Sequence, residues 1–229
     1  MTSGGSSERV VVIPDSLKQI ALDEIRRRIF SREMKAGARI EQEPLAAQMG
    51  MSKIPVREAL SALVTEGLVE VQPRRGAFVV PLSKKDIQDH YWMLAHISGR
   101  AAELAASNLT AESLAELNSI AEQLESSTDE DARSKLNFRF HSIVNHAADS
   151  PRINAVLRML GSPLPLELYE ASSDLAAQSD AEHREILAAF AARSGPRARK
   201  AMEKHFLTGA EESIARLDAQ GFWDDDSDG

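Results

Sequence analysis

The sequence contains no cysteine, which excludes a disulfide scaffold, a thiolate metal site and a cysteine nucleophile. Any metal bound by this chain must rest on histidine and oxygen ligands. Although 43% of residues are hydrophobic, no apolar run approaches the roughly 20 residues that span a bilayer. No membrane partner is therefore expected, and the cytoplasm is the expected compartment. The N-terminal stretch Met1-Thr2-Ser3-Gly4-Gly5-Ser6-Ser7 has neither a basic nor an apolar region and reads as a flexible tail rather than a signal peptide. A Gly-rich phosphate loop and a Gly-x-Ser-x-Gly elbow are also absent from the sequence, which removes two common enzyme signatures. Positive charge is scarce overall: 27 basic against 35 acidic side chains give −8 at pH 7. As a whole-chain sum, that argues against nucleic acid as a partner.

The sum conceals a division. The 229 residues suit one large domain or two ordinary ones. A β-like run ends at Pro81, and a long helical pattern begins at Ser83. Residues 1–82 carry 12 basic and 10 acidic groups, net +2, whereas residues 83–229 carry 15 and 25, net −10. Such asymmetry is consistent with one segment made for an anionic partner, but it also arises by chance. The motifs must decide.

Asp15 or Ser16 can cap a first helix to about Phe30, with Leu17, Ile20, Ala21, Ile25 and Ile29 on one face. A turn and short strand follow at residues 35–40. A short helix from Glu43-Pro44 ends at Gly50, and Ser52 caps a second that stops at Gly67. The pair forms a helix-turn-helix pattern. Two short β runs then flank Pro73-Arg74-Arg75-Gly76, a hairpin with two arginines at its tip, as in the wing of a winged helix. A recognition helix presents its N-terminal residues to base edges. Ser52, Lys53, Pro55 and Arg57 occupy that end, while Arg74, Arg75 and Gly76 form the wing. Arginine and lysine donate to guanine or to phosphate, and Gly76 lets the backbone approach a duplex.

The string Leu45-Ala46-Ala47-Gln48-Met49-Gly50-Met51-Ser52-Lys53-Ile54-Pro55-Val56-Arg57-Glu58-Ala59-Leu60, followed by Glu66-Gly67-Leu68-Val69 and Arg75-Gly76-Ala77-Phe78-Val79, resembles the GntR family of winged-helix regulators over about residues 16–82. The resemblance implies double-stranded operator DNA as partner. It also implies arginine where this chain has Lys53, so the charge is kept and the bidentate fork is lost.

From Ser83 onward the pattern predicts about six helices joined by short connections, an antiparallel bundle. A cap at Ser83 with Asp86 three residues on opens the first of them. The fourth helix, from Pro151, is interrupted at Gly161-Ser162-Pro163-Leu164-Pro165, and the fifth is placed at about Asp180–Ala192. The cluster Arg193-Ser194-Gly195-Pro196-Arg197 reads as a solvated turn. Asn137 and His141, spaced i,i+4, share a helix face, and His183 and His205 lie on two further helices. Three histidines on three helices can converge on one divalent ion, although a helical histidine also serves as a hydrogen-bonded or surface residue.

Phe140-His141, Glu182-His183-Arg184-Glu185-Ile186-Leu187 and Met202-Glu203-Lys204-His205 resemble the motif blocks of the FCD ligand-binding domain of FadR-type regulators. That resemblance implies a zinc or nickel ion held by Asn137, His141, His183 and His205, with asparagine standing where the family has aspartate. Asparagine leaves the ion's charge uncompensated among neutral imidazoles, so a carboxylate effector is expected to supply the missing negative charge at the metal. The family often has arginine at the position of Leu94 and glutamate at that of Ser98. Arg139, Arg100, His96 and Tyr169 are the polar substitutes available here.

The expected fold is mainly α: a flexible tail over 1–14, a winged helix-turn-helix over 15–82, an antiparallel all-α helical bundle over 83–219 and an acidic tail over 220–229. The expected function is a homodimeric, effector-controlled transcriptional repressor rather than an enzyme. Two alternatives stay open. One is a metal-dependent enzyme with Glu182 as general base; the other is a direct metal sensor.

Overall fold

The computed structural model describes residues 16–161 and 173–223. The tail over 1–14, Tyr169, most of the proline-rich interruption after Gly161 and the final acidic run lie outside them.

The first unit is a winged helix. Helix α1 (Leu17–Phe30) starts where the Ser16 hydroxyl accepts from the Gln19 amide, leaving its own backbone outside the helix. Strand β1 (Arg39–Ile40) leads into α2 (Gln42–Gln48) and α3 (Lys53–Thr65). Gly50, with φ 63°, makes the turn between α2 and α3 in a conformation costly for other residues. Strands β2 (Val69–Gln72) and β3 (Gly76–Val79) form the hairpin, and β3 lies between β1 and β2 in an antiparallel sheet. Gln72 pairs with Gly76, so Pro73, Arg74 and Arg75 form the wing tip.

The stripe on α1 is shifted from its expected place. Leu17 and Ile20 are exposed, whereas Leu22, Arg26 and Phe30 join Ala21, Ile25 and Ile29 inside. A 3.6-residue period locates a face only to within a position, and the first turn of α1 projects beyond the core.

The second unit comprises α4 (Lys84–Asn108), α5 (Ala111–Ser126), α6 (Glu130–Ala147), α7 (Pro151–Leu160), α8 (Ser173–Ala191) and α9 (Gly195–Ala219). Ser83 and Asp86 form the reciprocal cap that the sequence suggests. Helix α8 begins several residues earlier than the periodicity indicated. Helices α4 and α9 pack along each other most extensively, and small residues are buried on α4: Ala95, Ser98, Gly99, Ala102 and Ala106. A Cβ added at Gly99 would stand 2.6 Å from Glu203 Cγ, so close packing there depends on the missing side chain.

Arg193 does not sit in a merely solvated turn. Its guanidinium donates to the Leu109 carbonyl at 2.8 Å and to those of Ala106 and Ser107, closing the C-terminal end of α4.

The two units share a core. Ile87 and Tyr91 of α4, with Ala210 and Leu217 of α9, belong to the same buried cluster as α1 and the sheet. Residues 220–223 are not tail. Phe222 stacks on Phe30 with ring centroids 6.0 Å apart, and Trp223 Nε1 donates to the Leu82 carbonyl at 2.7 Å. Gly221 accepts from Arg32, and Lys84 lies over the Trp223 ring. Two adjacent aromatics in an acidic run were the available signal for this docking.

Candidate metal centre and DNA-binding face

On the winged helix, Ser52, Lys53, Ile54, Arg57 and Glu58 form the exposed edge of α3. Pro55 is buried beside Val56, so it starts the helix and fills the core rather than facing a duplex. Ser52 occupies the cap position, but its hydroxyl makes no capping bond and remains available. Ile54, 58% exposed, was not among the expected contacts. A branched apolar side chain here suits contact with a thymine methyl. At the wing, Arg75 lies 5.4 Å from the Phe78 ring centroid, and Arg74 adopts φ 65°. Gly76 has φ 109°, and a Cβ there would meet Arg39 Nε at 3.2 Å. Its glycine character is thus required by the hairpin itself, apart from any approach to DNA.

In the helical unit, three helices bring the histidines together. His141 projects from α6, His183 from α8 and His205 from α9. Their ring centroids are 5.7, 5.2 and 4.6 Å apart, and one nitrogen from each lies within 4.8 Å of the others. His183 is 1% and His205 9% exposed. Both nitrogens of His183, Nε2 of His141 and Oδ1 of Asn137 are buried without a hydrogen-bond partner. Orphaned buried polar atoms are costly, and a cluster of them converging at this spacing fits a divalent cation. Burial, followed by the proximity of His205, holds His141 and His183 well below the usual histidine range. Neutral imidazoles are the form that binds metal.

Glu182 has a different task from that of a free general base. It is buried, accepts from His205 Nδ1 at 3.1 Å and from Thr208 Oγ1 at 2.9 Å. Burial pushes its carboxyl up, but the bonds from His205 and Thr208 outweigh this and leave it below the usual range. The arrangement turns the other ring nitrogen of His205 toward the cluster, as carboxylates behind metal-binding histidines do.

Asn137 and His183 line a cavity of about 410 Å³ between the α5–α6 connection and α8. Arg133, one turn before Asn137 on α6, also borders it. Its guanidinium binds the Leu124 carbonyl and pairs with Asp180 at 2.8 Å. The i−4, i−8 spacing of Arg133 to Asn137 and His141 was legible in the sequence but unused. The other polar candidates lie elsewhere. Arg139 is exposed and paired with Glu116, and Arg100 is exposed and paired with Glu103. His96 stacks on Trp92 and bonds its backbone carbonyl. Leu94 and Ser98, where the resemblance implied charged groups, are both buried.

A winged helix joined to a helical bundle with a buried histidine cluster defines a class: a two-domain, DNA-binding regulator with a ligand-sensing second domain. The bacterial gntR regulatory family model matches residues 17–79, and the FCD domain model matches residues 89–208. The chain belongs to the GntR family, in the branch that carries an FCD domain. The transcriptional regulator McbR of Escherichia coli is 31% identical over 163 residues, covering 68% of this chain and 73% of that protein. The solved structure of E. coli McbR/YncC superposes with a TM-score of 0.65 at 27% identity, covering 90% of this chain and 99% of the other. A probable D-xylose utilization operon transcriptional repressor of Paenarthrobacter nicotinovorans is 30% identical over 77% of this chain and 80% of its own length. An uncharacterized HTH-type transcriptional regulator of Mycobacterium tuberculosis is 26% identical, and there the match spans 56% of the relative's length. No helix among the described residues is long and apolar enough to cross a membrane.

Proposed function

We propose that this protein is a homodimeric transcriptional repressor whose affinity for operator DNA is set by a small carboxylate bound at a divalent ion in the helical domain. The observation that carries this reading is the buried histidine cluster with unpartnered nitrogens, opening on a cavity, in a chain whose other domain exposes Lys53 and Arg57 along a recognition helix. Asn137, His141, His183 and His205 would hold the ion, with zinc or nickel suited to imidazole ligands. Four neutral ligands leave its charge uncompensated, and a carboxylate from the cavity would neutralise it. The bound ion would act as the electrostatic anchor for that ligand.

Dimerisation follows from reach, since one module contacts few bases and a twofold dimer reads two half-sites. Helix α9 supplies a route between the sites. It carries His205 and Thr208, then Leu217, and it continues into Phe222 and Trp223 against the winged helix. A ligand that shifts α9 changes the disposition of the heads, with a coupling of ~1–3 kcal/mol typical of such linkage.

The test is a binding titration on duplex enriched from a random pool, at fixed salt, with metal-stripped and zinc-loaded protein and a panel of small mono- and dicarboxylates. The reading expects at least one acid to shift operator affinity about 5- to 150-fold only in the loaded protein. Acid effects unchanged by stripping would contradict the metal-anchored form. An effect of zinc alone, with no acid effect, would identify a metal sensor instead.

A further inference from the structure

An acidic side chain stands at the edge where the duplex is expected. Glu43, in the first turn of α2, reaches across the helix-turn-helix to the ammonium of Lys53, the first residue of α3. Both side chains are mostly exposed, at 71% and 59%. Exposed pairs contribute little to stability, so folding does not explain this one. Nor does attraction to phosphate, because the pair is neutral as a unit and Glu43 alone repels the backbone. Lys53 begins the helix whose N-terminal end enters the major groove, which places the Glu43 carboxylate at the same edge.

The G·C pair offers a matching pattern. Its major-groove edge presents two acceptors, guanine N7 and O6, followed by one donor, cytosine N4. An ammonium has three protons, enough for both guanine acceptors and for the carboxylate beside it. That carboxylate retains acceptor capacity for the cytosine amine. We infer that Glu43 and Lys53 act as one unit that reads a G·C pair, with Lys53 donating to guanine and Glu43 accepting from its cytosine. The inference rests on the DNA-binding reading above and adds a specificity-determining residue to it. It also gives lysine an advantage at position 53: a compact ammonium can bridge guanine and Glu43 together, where a planar guanidinium is committed to a fork.

The experiment is selection of duplexes from a random pool by the full-length protein, by Glu43→Gln, by Glu43→Ala and by Lys53→Ala, followed by affinity titrations at several salt concentrations. The wild type should enrich a G·C pair at one position of each half-site. Glu43→Ala should lose roughly 5- to 150-fold discrimination at that position. It should also bind random DNA more tightly and with a salt slope steeper by about one, since a negative charge is gone. Glu43→Gln should move the preference from cytosine toward adenine, whose N6 and N7 suit an amide. Lys53→Ala should relax the same position. A merely structural role for Glu43 would weaken all sequences alike. Unchanged base preference in both Glu43 variants overturns the inference while leaving DNA binding intact. If the wild type enriches no sequence, the DNA-binding reading fails and takes this inference with it.

Discussion

Each half of the molecule buries a polar cluster, and the two are built in opposite ways. In the winged helix, Arg26 is almost wholly enclosed yet fully engaged. It meets both oxygens of Glu66, at 2.9 and 2.6 Å, and Asp23 at 2.8 Å. In the helical unit, His141, His183 and Asn137 bury nitrogen and oxygen atoms that have no hydrogen-bond partner. A closed, satisfied cluster joins α1 to the end of α3 and asks for no further partner. An open one carries a desolvation cost that a bound ion, ligand or water offsets. The contrast sets a structural device beside the proposed binding site.

The sharpest way to break the comparison is to unbalance the closed cluster. Glu66→Ala leaves the Arg26 charge buried without its principal counter-ion and should cost about 3–5 kcal/mol, read by urea unfolding. A loss under about 1 kcal/mol, the range of an exposed pair, would remove the distinction. Filling the open cluster should have a comparable effect in the other direction. Zinc at a thousand times its dissociation constant should stabilise the wild type by about 4 kcal/mol, and His183→Ala should gain far less. Equal gains in the two proteins would place the metal elsewhere.

How much of this was legible beforehand differs between the halves. The winged helix repeats short, strongly signalled elements, so the caps, Gly67 and the two-arginine turn could be placed from sequence. Arg26 could not, because an arginine within an apolar stripe looks like a surface residue until Glu66 arrives from 40 positions away. In the helical unit, His141, His183 and His205 could be listed as candidates, and the bundle brings them together. Arg139 and Arg100, offered as polar substitutes for the effector, turn outward to Glu116 and Glu103, because charge and proximity in sequence do not reveal which side of a helix faces inward. The partners of Glu182 were hidden for a related reason: His205 and Thr208 lie on another helix. Phe222 and Trp223 were obscured by the acidic residues that follow them.

Acidity sharpens the comparison further. In metal-free protein, burial and then His205 depress His141 and His183 well below 6.5. The unfolded chain then takes up protons that the native chain refuses. Their stabilising contribution is present above about pH 6.5 and is lost as pH falls below it, by up to about 1.4 kcal/mol per unit for each histidine. Glu212 acts with the opposite sign. Burial, then Glu182 and Glu211, raise it from 4.5 to about 7, so the native chain holds an extra proton across that window and loses stability as pH rises through it. Two histidines outweigh one glutamate. Stability should therefore climb between about pH 5 and 6.5, measured by denaturant titration at each pH, and the climb should be shallower in the His141→Ala/His183→Ala double variant, where His90, also held low by burial, still contributes. A wild-type profile that falls over the same interval would contradict the assignment.

The smallest effect is expected one step back from the cluster. Glu182→Gln keeps the shape but weakens the hold on His205, and zinc affinity should drop about 10- to 100-fold. An unchanged affinity would make Glu182 a fold residue only.

Calorimetric titration of metal-stripped protein with zinc tests the central distinction most directly. The account predicts saturable binding of one ion per chain, abolished in the His141→Ala/His183→Ala double variant while the Arg26–Glu66 cluster keeps that variant's winged helix folded. No saturable binding by the wild type, or binding that survives loss of both histidines, would contradict it.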